Sequence, residues 1–307
     1  MTSSLDYNSE TRAFDATPTM TDSQVLEFCR DGHLLLKGIV PDEINQRARD
    51  WLDGKLPLNP VVMPPGMTLK DLEHIRATHE PSAILLEEWF IEHVLMNPQL
   101  AGVLRSLLGA NVGLPVITSL HRANCPLPAQ GWHQDADHVF GPELNFLEVF
   151  YFPQDTPAGL GPTEVASGTH IGPAQRNIED QGVLLEGPAG TIGIHHQSIL
   201  HRRGVSTSTG VRDMLKYNYW RSAPPQRDWI TEDDFSFHTA YYGGHRLAIF
   251  AAHMFYWLCG KDDEYRVLGG QAWPWRTPQQ VFPSYGFNAK DGYRPDWRRT
   301  GPDTFAS

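Results

Sequence analysis

At 307 residues and a net charge of −11, the chain can bury one substantial core but lacks the clustered lysines and arginines that a nucleic-acid surface demands. Its three cysteines, Cys29, Cys125 and Cys259, are too few and too irregularly spaced for a disulfide framework or a zinc knuckle, which fits a reducing, cytoplasmic setting. The longest apolar run, 247–259, is thirteen residues and contains His253, well short of a membrane span.

Residues 1–19 are polar and have neither the basic nor the apolar region of a secretory leader, so a flexible arm is expected there. Residues 20–110 read as a helical buttress. Asp22 is the expected cap of a short helix carrying Val25, Leu26, Phe28 and Cys29, ended by Asp31-Gly32 before a strand over 33–37. A second helix takes Pro41 in its first turn, sets Ile44, Ala48, Trp51 and Leu52 on one face and closes at Gly54. The Pro- and Met-rich stretch 56–67 has no periodicity and reads as a loop near the mouth of an active site. Further helices are expected over 82–95 and 98–108, the second stopped by Gly109.

From Val112 onward short strands alternate with Gly and Pro: 116–124, 131–135, 146–152, 161–165, 190–200 and 212–220. The spacing suits a mostly β protein with flanking helices, of jelly-roll or cupin-like type. Residues 20–307 are expected to form a single domain with a β core at about 112–222 and a C-terminal extension, 223–307, carrying a late helix over 245–258.

Within the β region, His133 and Asp135 are separated by one residue, so an extended backbone points both side chains the same way and Gln134 the other. His201, closing the apolar stretch 192–200, is the best third ligand. Two imidazoles and one carboxylate make the facial set of non-heme Fe(II) sites and leave positions open for other ligands; the same set also serves zinc hydrolases. Arg212 follows His201 by eleven residues (212 − 201), and its guanidinium can grip the far carboxylate of a dicarboxylic co-substrate. Ser208, between them, offers a hydroxyl to the same group.

These motifs resemble the phytanoyl-CoA dioxygenase family of Fe(II)- and 2-oxoglutarate-dependent oxygenases. The matching residues are Trp132-His133-Gln134-Asp135, then Gly161-Pro162 to Gly168-Thr169-His170, Gly190-Thr191 to Leu200-His201, and Gly210-Val211-Arg212. The likeness covers roughly 20–222, with Thr191 in place of the usual Asp, Thr169 in place of Ser and Ser206 where Asn is frequent. The resemblance implies a double-stranded β-helix in which His133, Asp135 and His201 hold Fe(II) and Arg212 anchors 2-oxoglutarate. It also implies a dioxygenase that consumes O2, releases succinate and CO2 and, as a hydroxylase, oxidises a small molecule. Relatives that halogenate lack the carboxylate ligand, so Asp135 points to hydroxylation. A non-catalytic cupin-like metal-binding module, which has no need of Arg212, and a zinc hydrolase stay open as alternatives.

The period of two extends the site. With Arg212 inward, Met214, Lys216, Asn218 and Trp220 share its face while Tyr217 and Tyr219 turn away. Thr118, Leu120, Arg122 and Asn124 likewise share a face of the preceding strand. The resemblance, in which this strand lends polar residues to the 2-oxoglutarate pocket, implies Asn124 on the co-substrate's other carboxylate; parity then puts Arg122 on the primary substrate, an ion pair with a carboxylate such as Glu148 being the alternative for Arg122. Trp132, His138 and Trp220 are candidate walls of the substrate pocket. Of the adjacent His195 and His196, only one can approach the metal. The partner is a small molecule of unspecified identity, with neither nucleic acid nor membrane expected.

Overall fold

Thr21, rather than Asp22, caps the first helix, α1 (Asp22–Asp31): its hydroxyl accepts from the Gln24 N–H while its own N–H donates to the Gln24 side chain. Asp22 is buried instead against Arg227, at 2.6 Å. Gly32 ends α1 at φ +76°, and a Cβ there would lie 2.3 Å from the buried His170 ring, so both backbone and space require glycine. The computed structural model describes residues 16–55, 81–110, 112–115, 118–135, 140–172, 178, 182–222, 224–225, 227 and 245–261. The expected loop at 56–67 and residues 1–15 of the expected arm, 1–19, lie outside them.

Next come β1 (His33–Leu36) and α2 (Asp42–Lys55), which runs through Gly54 instead of stopping there. The expected helix over 82–95 is broken into a 3-10 turn (Pro81–Leu86), one α turn (Glu88–Phe90) and a π turn (Ile91–Leu95). Glu87 sits at the break, its carboxylate accepting from the indoles of Trp51 at 3.2 Å and Trp89 at 2.8 Å. The helix α3 (Pro98–Leu108) follows as expected, with the Asn97 side chain accepting from the N–H groups of Gln99 and Leu100.

The β region folds into two antiparallel sheets. The larger has the order β1-β6-β3-β8-β2, with β2 (Thr118–Cys125), β3 (Phe146–Phe152), β6 (Thr191–His196) and β8 (Gly210–Trp220). The smaller has the order β5-β4-β7, from β4 (Thr163–Ala166), β5 (Gly182–Leu184) and β7 (His201–Arg203). Together they make the expected jelly roll. The expected strand over 131–135 is reduced to one bridge, in which His133 and His201 exchange N–H···O bonds of 3.0 Å. The expected strand 190–200 turns after His196, which frees His201 to begin β7 in the other sheet.

The larger sheet is covered on both faces. Outward, Leu147, Val149, Tyr151, Ile192, Ile194, Leu215, Tyr217 and Tyr219 pack with Leu26, Phe28, Phe90 and Leu104 of the helical layer. The late helix, α4 (His245–Leu258), adds Phe250, Met254, Phe255 and Leu258 to the same core. Inward, Phe150, Phe152 and Met214 pack with Val165, Leu185 and Ile199. This double cover explains why β3 is an unbroken apolar run with one exception, Glu148.

Register then corrects one part of the sequence reading. Directly opposed residues of an antiparallel pair point to the same side. Ser119, His121 and Ala123 oppose Lys216, Met214 and Arg212, whereas Arg122 and Asn124 oppose Asp213 and Val211. Arg122 and Asn124 therefore face the helical layer, away from Arg212. Arg122 pairs with Asp53 of α2 at 2.6 Å and stands 3.7 Å from Asp213. Its role is structural, and its partners are these two carboxylates instead of Glu148.

Candidate metal centre

Two local hydrogen bonds prepare the histidines. His133 Nδ1 donates to the Gly131 carbonyl at 2.9 Å and His201 Nδ1 to the Ile199 carbonyl at 3.3 Å. A carbonyl can only accept, so each neutral ring keeps its lone pair on Nε2. Both Nε2 atoms meet Asp135, His133 at 3.5 Å from Oδ1 and His201 at 3.2 Å from Oδ2. Ligands held about 2.1 Å from an ion at right angles stand about 3 Å apart, so the three donors fit one metal. Burial, with the nearby His133 second, lowers the His201 pKa to about 4. The imidazole is thus in the neutral form that metal ligation needs.

A second set, Glu148, His195 and His201, also brings ligand atoms within 4.8 Å of one another. It shares His201 with the first, so the two compete. Glu148 and His195 are 3% and 0% exposed, which would enclose an ion completely. The side chains of His133 and Asp135 keep 39% and 25%, leaving room for further ligands. The first set is therefore the better open site.

The inner face of the larger sheet lies opposite. Lys216 touches the Asp135 carboxylate with its ammonium and stands 3.8 Å from Glu148 Oε1. Burial lowers its pKa to about 8 and raises that of Glu148 to about 8. Arg212, 2% exposed, reaches across to the smaller sheet and donates to Thr163 Oγ1 at 3.3 Å. Among the described residues it makes no ion pair, and its Nε has no hydrogen-bond partner. Burial first, then the Arg203 charge, lowers its pKa to about 10, so it stays cationic at neutral pH.

Other expected site residues fall elsewhere. Ser208 is exposed in a surface turn, its N–H bonded to the Gly159 carbonyl at 2.8 Å; Thr163 is the hydroxyl that meets Arg212. Trp132 lies beneath the Arg202 guanidinium at 4.2 Å, and Arg202 is bound to Glu164 at 2.6 Å. These are the residues next to His133 and His201, so they point to the outer surface of the small sheet, and Trp132 is no pocket wall. Trp220 shares the parity of Arg212 and Lys216 but closes the end of β8, its indole lying over Gly113. His138 lies outside the described residues. Of the histidine pair, His195 faces inward, its ring 5.0 Å from that of His201, while His196 packs on His170. Glu148 was missed as a site residue, although a single charge within a buried strand is the signal that marks it.

The class defined by fold and site is a jelly roll carrying a two-histidine, one-carboxylate cluster, with a buried arginine on the facing sheet. Among known proteins, the chain is 29% identical over 152 residues to the probable alpha-ketoglutarate-dependent hypophosphite dioxygenase of Stutzerimonas stutzeri, a match covering 42% of this chain and 52% of that protein. It thus spans about half the length of this curated relative. The apo structure of the non-heme monooxygenase ThoJ matches 80% of this chain and 98% of its own at 19% identity, with a TM-score of 0.50. CytC3 with Fe(II) and alpha-ketoglutarate matches 67% of this chain and 79% of its own at 16% identity, with a TM-score of 0.48. No protein-family model matches. The likeness to the ThoJ structure supports the jelly-roll fold.

Proposed function

We propose that the protein is an Fe(II)- and 2-oxoglutarate-dependent dioxygenase that hydroxylates a small organic molecule, and that it is a member of the phytanoyl-CoA dioxygenase family. The observation that carries this reading is the pairing of an open His133-Asp135-His201 cluster with a buried Arg212 on the facing sheet that makes no ion pair among the described residues. The sequence match to an alpha-ketoglutarate-dependent dioxygenase supports it. Fe(II), O2 and 2-oxoglutarate would supply the oxidising power, with succinate and CO2 as co-products.

The chain's own residues position the reactants. His133 and His201 present fixed Nε2 lone pairs, and Asp135 bridges them on the solvent-facing side. Lys216, at the level of Asp135, lies four residues beyond Arg212 on β8, a span of about 13 Å. Arg212 would hold the distal carboxylate of the co-substrate, and His133, Asp135 and His201 would hold the metal. Phe150 and Met214 line the intervening wall and exclude water. We also place residues 20–307 in one catalytic domain and the enzyme in the cytoplasm, the latter on its three buried free cysteines. No helix among the described residues is long and apolar enough to cross a membrane.

The test is anaerobic loading with Fe(II), titration of 2-oxoglutarate, and measurement of O2-dependent succinate release. Tight zinc with no 2-oxoglutarate binding would favour a hydrolase. Metal binding with neither co-substrate binding nor turnover would favour a non-catalytic module.

A further inference from the structure

Past the metal cluster, three polar side chains form one row across the inner face of the larger sheet. Glu148 of β3 is directly opposed by His195 of β6 on one side and by Asn218 of β8 on the other. Opposed residues share a face about 5 Å apart, so the three point together into the barrel. His195 Nδ1 donates to the His196 carbonyl at 3.0 Å, which leaves its Nε2 as an acceptor, 3.4 Å from Glu148 Oε2.

Each of the three has an inward polar atom left over. Among the described residues, Glu148 Oε2, His195 Nε2 and Asn218 Oδ1 are buried without a hydrogen-bond partner. Buried polar atoms without partners are rare because each has given up its hydrogen bonds to water with nothing in return. Three in register, on strands otherwise packed with Phe150, Ile194 and Tyr217, mark a surface built for something that brings hydrogens.

Position says what that is. Along β8, Arg212 comes first, Lys216 stands at Asp135, and Asn218 comes next on the same face. The row is therefore on the opposite side of the metal from the co-substrate's anchor, and the His195 ring is 5.0 Å from that of the ligand His201. We propose that Glu148, His195 and Asn218 form the specificity floor for the primary substrate and select a neutral small molecule bearing hydroxyl or amide N–H donors. This rests on the iron and 2-oxoglutarate reading. A bare oxyanion offers only acceptors and would set its lone pairs against those of His195 Nε2 and Asn218 Oδ1.

The experiment uses full-length protein loaded with Ni(II) and 2-oxoglutarate, so that binding is measured without turnover. Probes are small polyols and primary amides on one side, and hypophosphite, phosphite and acetate on the other, followed by saturation-transfer NMR and calorimetry. The expected result is that polyol or amide probes bind in preference to the oxyanions. Glu148→Leu, which removes both carboxyl oxygens at similar volume, and Asn218→Ala, at a half-buried position, should each weaken that binding at least tenfold. Ni(II) content and 2-oxoglutarate affinity should stay unchanged. Preferential oxyanion binding, binding undiminished in both variants, or no binding by any probe overturns the proposal. Failure of wild-type protein to bind Ni(II) or 2-oxoglutarate, read in separate titrations, overturns the parent reading and this one with it.

Discussion

The carbonyls of Gly131 and Ile199 fix which nitrogen of each histidine can meet a metal, and so the site is organised before any ion arrives. His201→Ala should remove most Fe(II) affinity while the far-UV spectrum stays the same, because the strands around it are held by Phe150, Val165 and Ile199. Equilibrium dialysis of metal content checks this. Arg212→Ala would leave a co-substrate carboxylate without its cation, a change that costs about 2–5 kcal/mol, or very roughly 30- to several-thousand-fold in affinity. Titration of 2-oxoglutarate should show that loss with Fe(II) binding retained. Arg122→Met belongs to a different account. It strips Asp213 of its cation, and burial already raises the Asp213 carboxyl to about 6. Urea unfolding at pH 8 should therefore show a loss of about 1–3 kcal/mol, with metal and 2-oxoglutarate affinities unchanged.

Elements were legible in the sequence where a cap marked the end or where a short apolar run was nearly unbroken. The helix over 98–108 and the strand over 146–152 appear with the expected bounds. The expected helix over 82–95 breaks because Glu87 turns back to hold two indoles, a tertiary contact that local periodicity does not encode. The phase of β2 was not legible for a related reason. Both of its faces are covered, and Ser119 and His121 on one side are as polar as Arg122 and Asn124 on the other, so no hydrophobic alternation fixes the register. Local signals did mark Gly32 at the end of α1. Gly32→Ala would force a Cβ into a left-handed backbone and into the His170 ring. A loss of about 1–3 kcal/mol, or more if the ring cannot move, should appear as a lowered denaturation midpoint, with metal affinity preserved.

The whole molecule keeps several histidines neutral by burying them, and this sets its response to acid. His170 is fully buried, accepts no charge readily and has its pKa lowered to about 4 by loss of solvent. In the unfolded chain it titrates near 6.5, so below that pH the unfolded state takes up a proton that the folded state refuses. Its contribution is present above pH 6.5 and is lost as pH falls toward 4, amounting to on the order of 3 kcal/mol at the limit. His195 and His196 are also lowered well below the ordinary imidazole value, burial being the largest cause. Glu148 acts oppositely: its raised pKa favours the folded state at low pH and loses that contribution as pH rises through about 8. Metal-free protein should therefore unfold at progressively lower urea between pH 6.5 and 4. His170→Gln should flatten that slope, which urea midpoints across the range would measure.

The two-sided cover of the larger sheet has a consequence for how the protein can change. Along β8, Leu215, Tyr217 and Tyr219 face the helical layer, and Arg212, Lys216 and Asn218 face the barrel. One strand is thus written in two interleaved scripts, one read by the folding equilibrium and the other by the chemistry. Saturation libraries along it should separate cellular abundance from catalytic phenotype with a period of two. Drift in substrate preference can then accumulate at every second position while the scaffold that carries it stays intact.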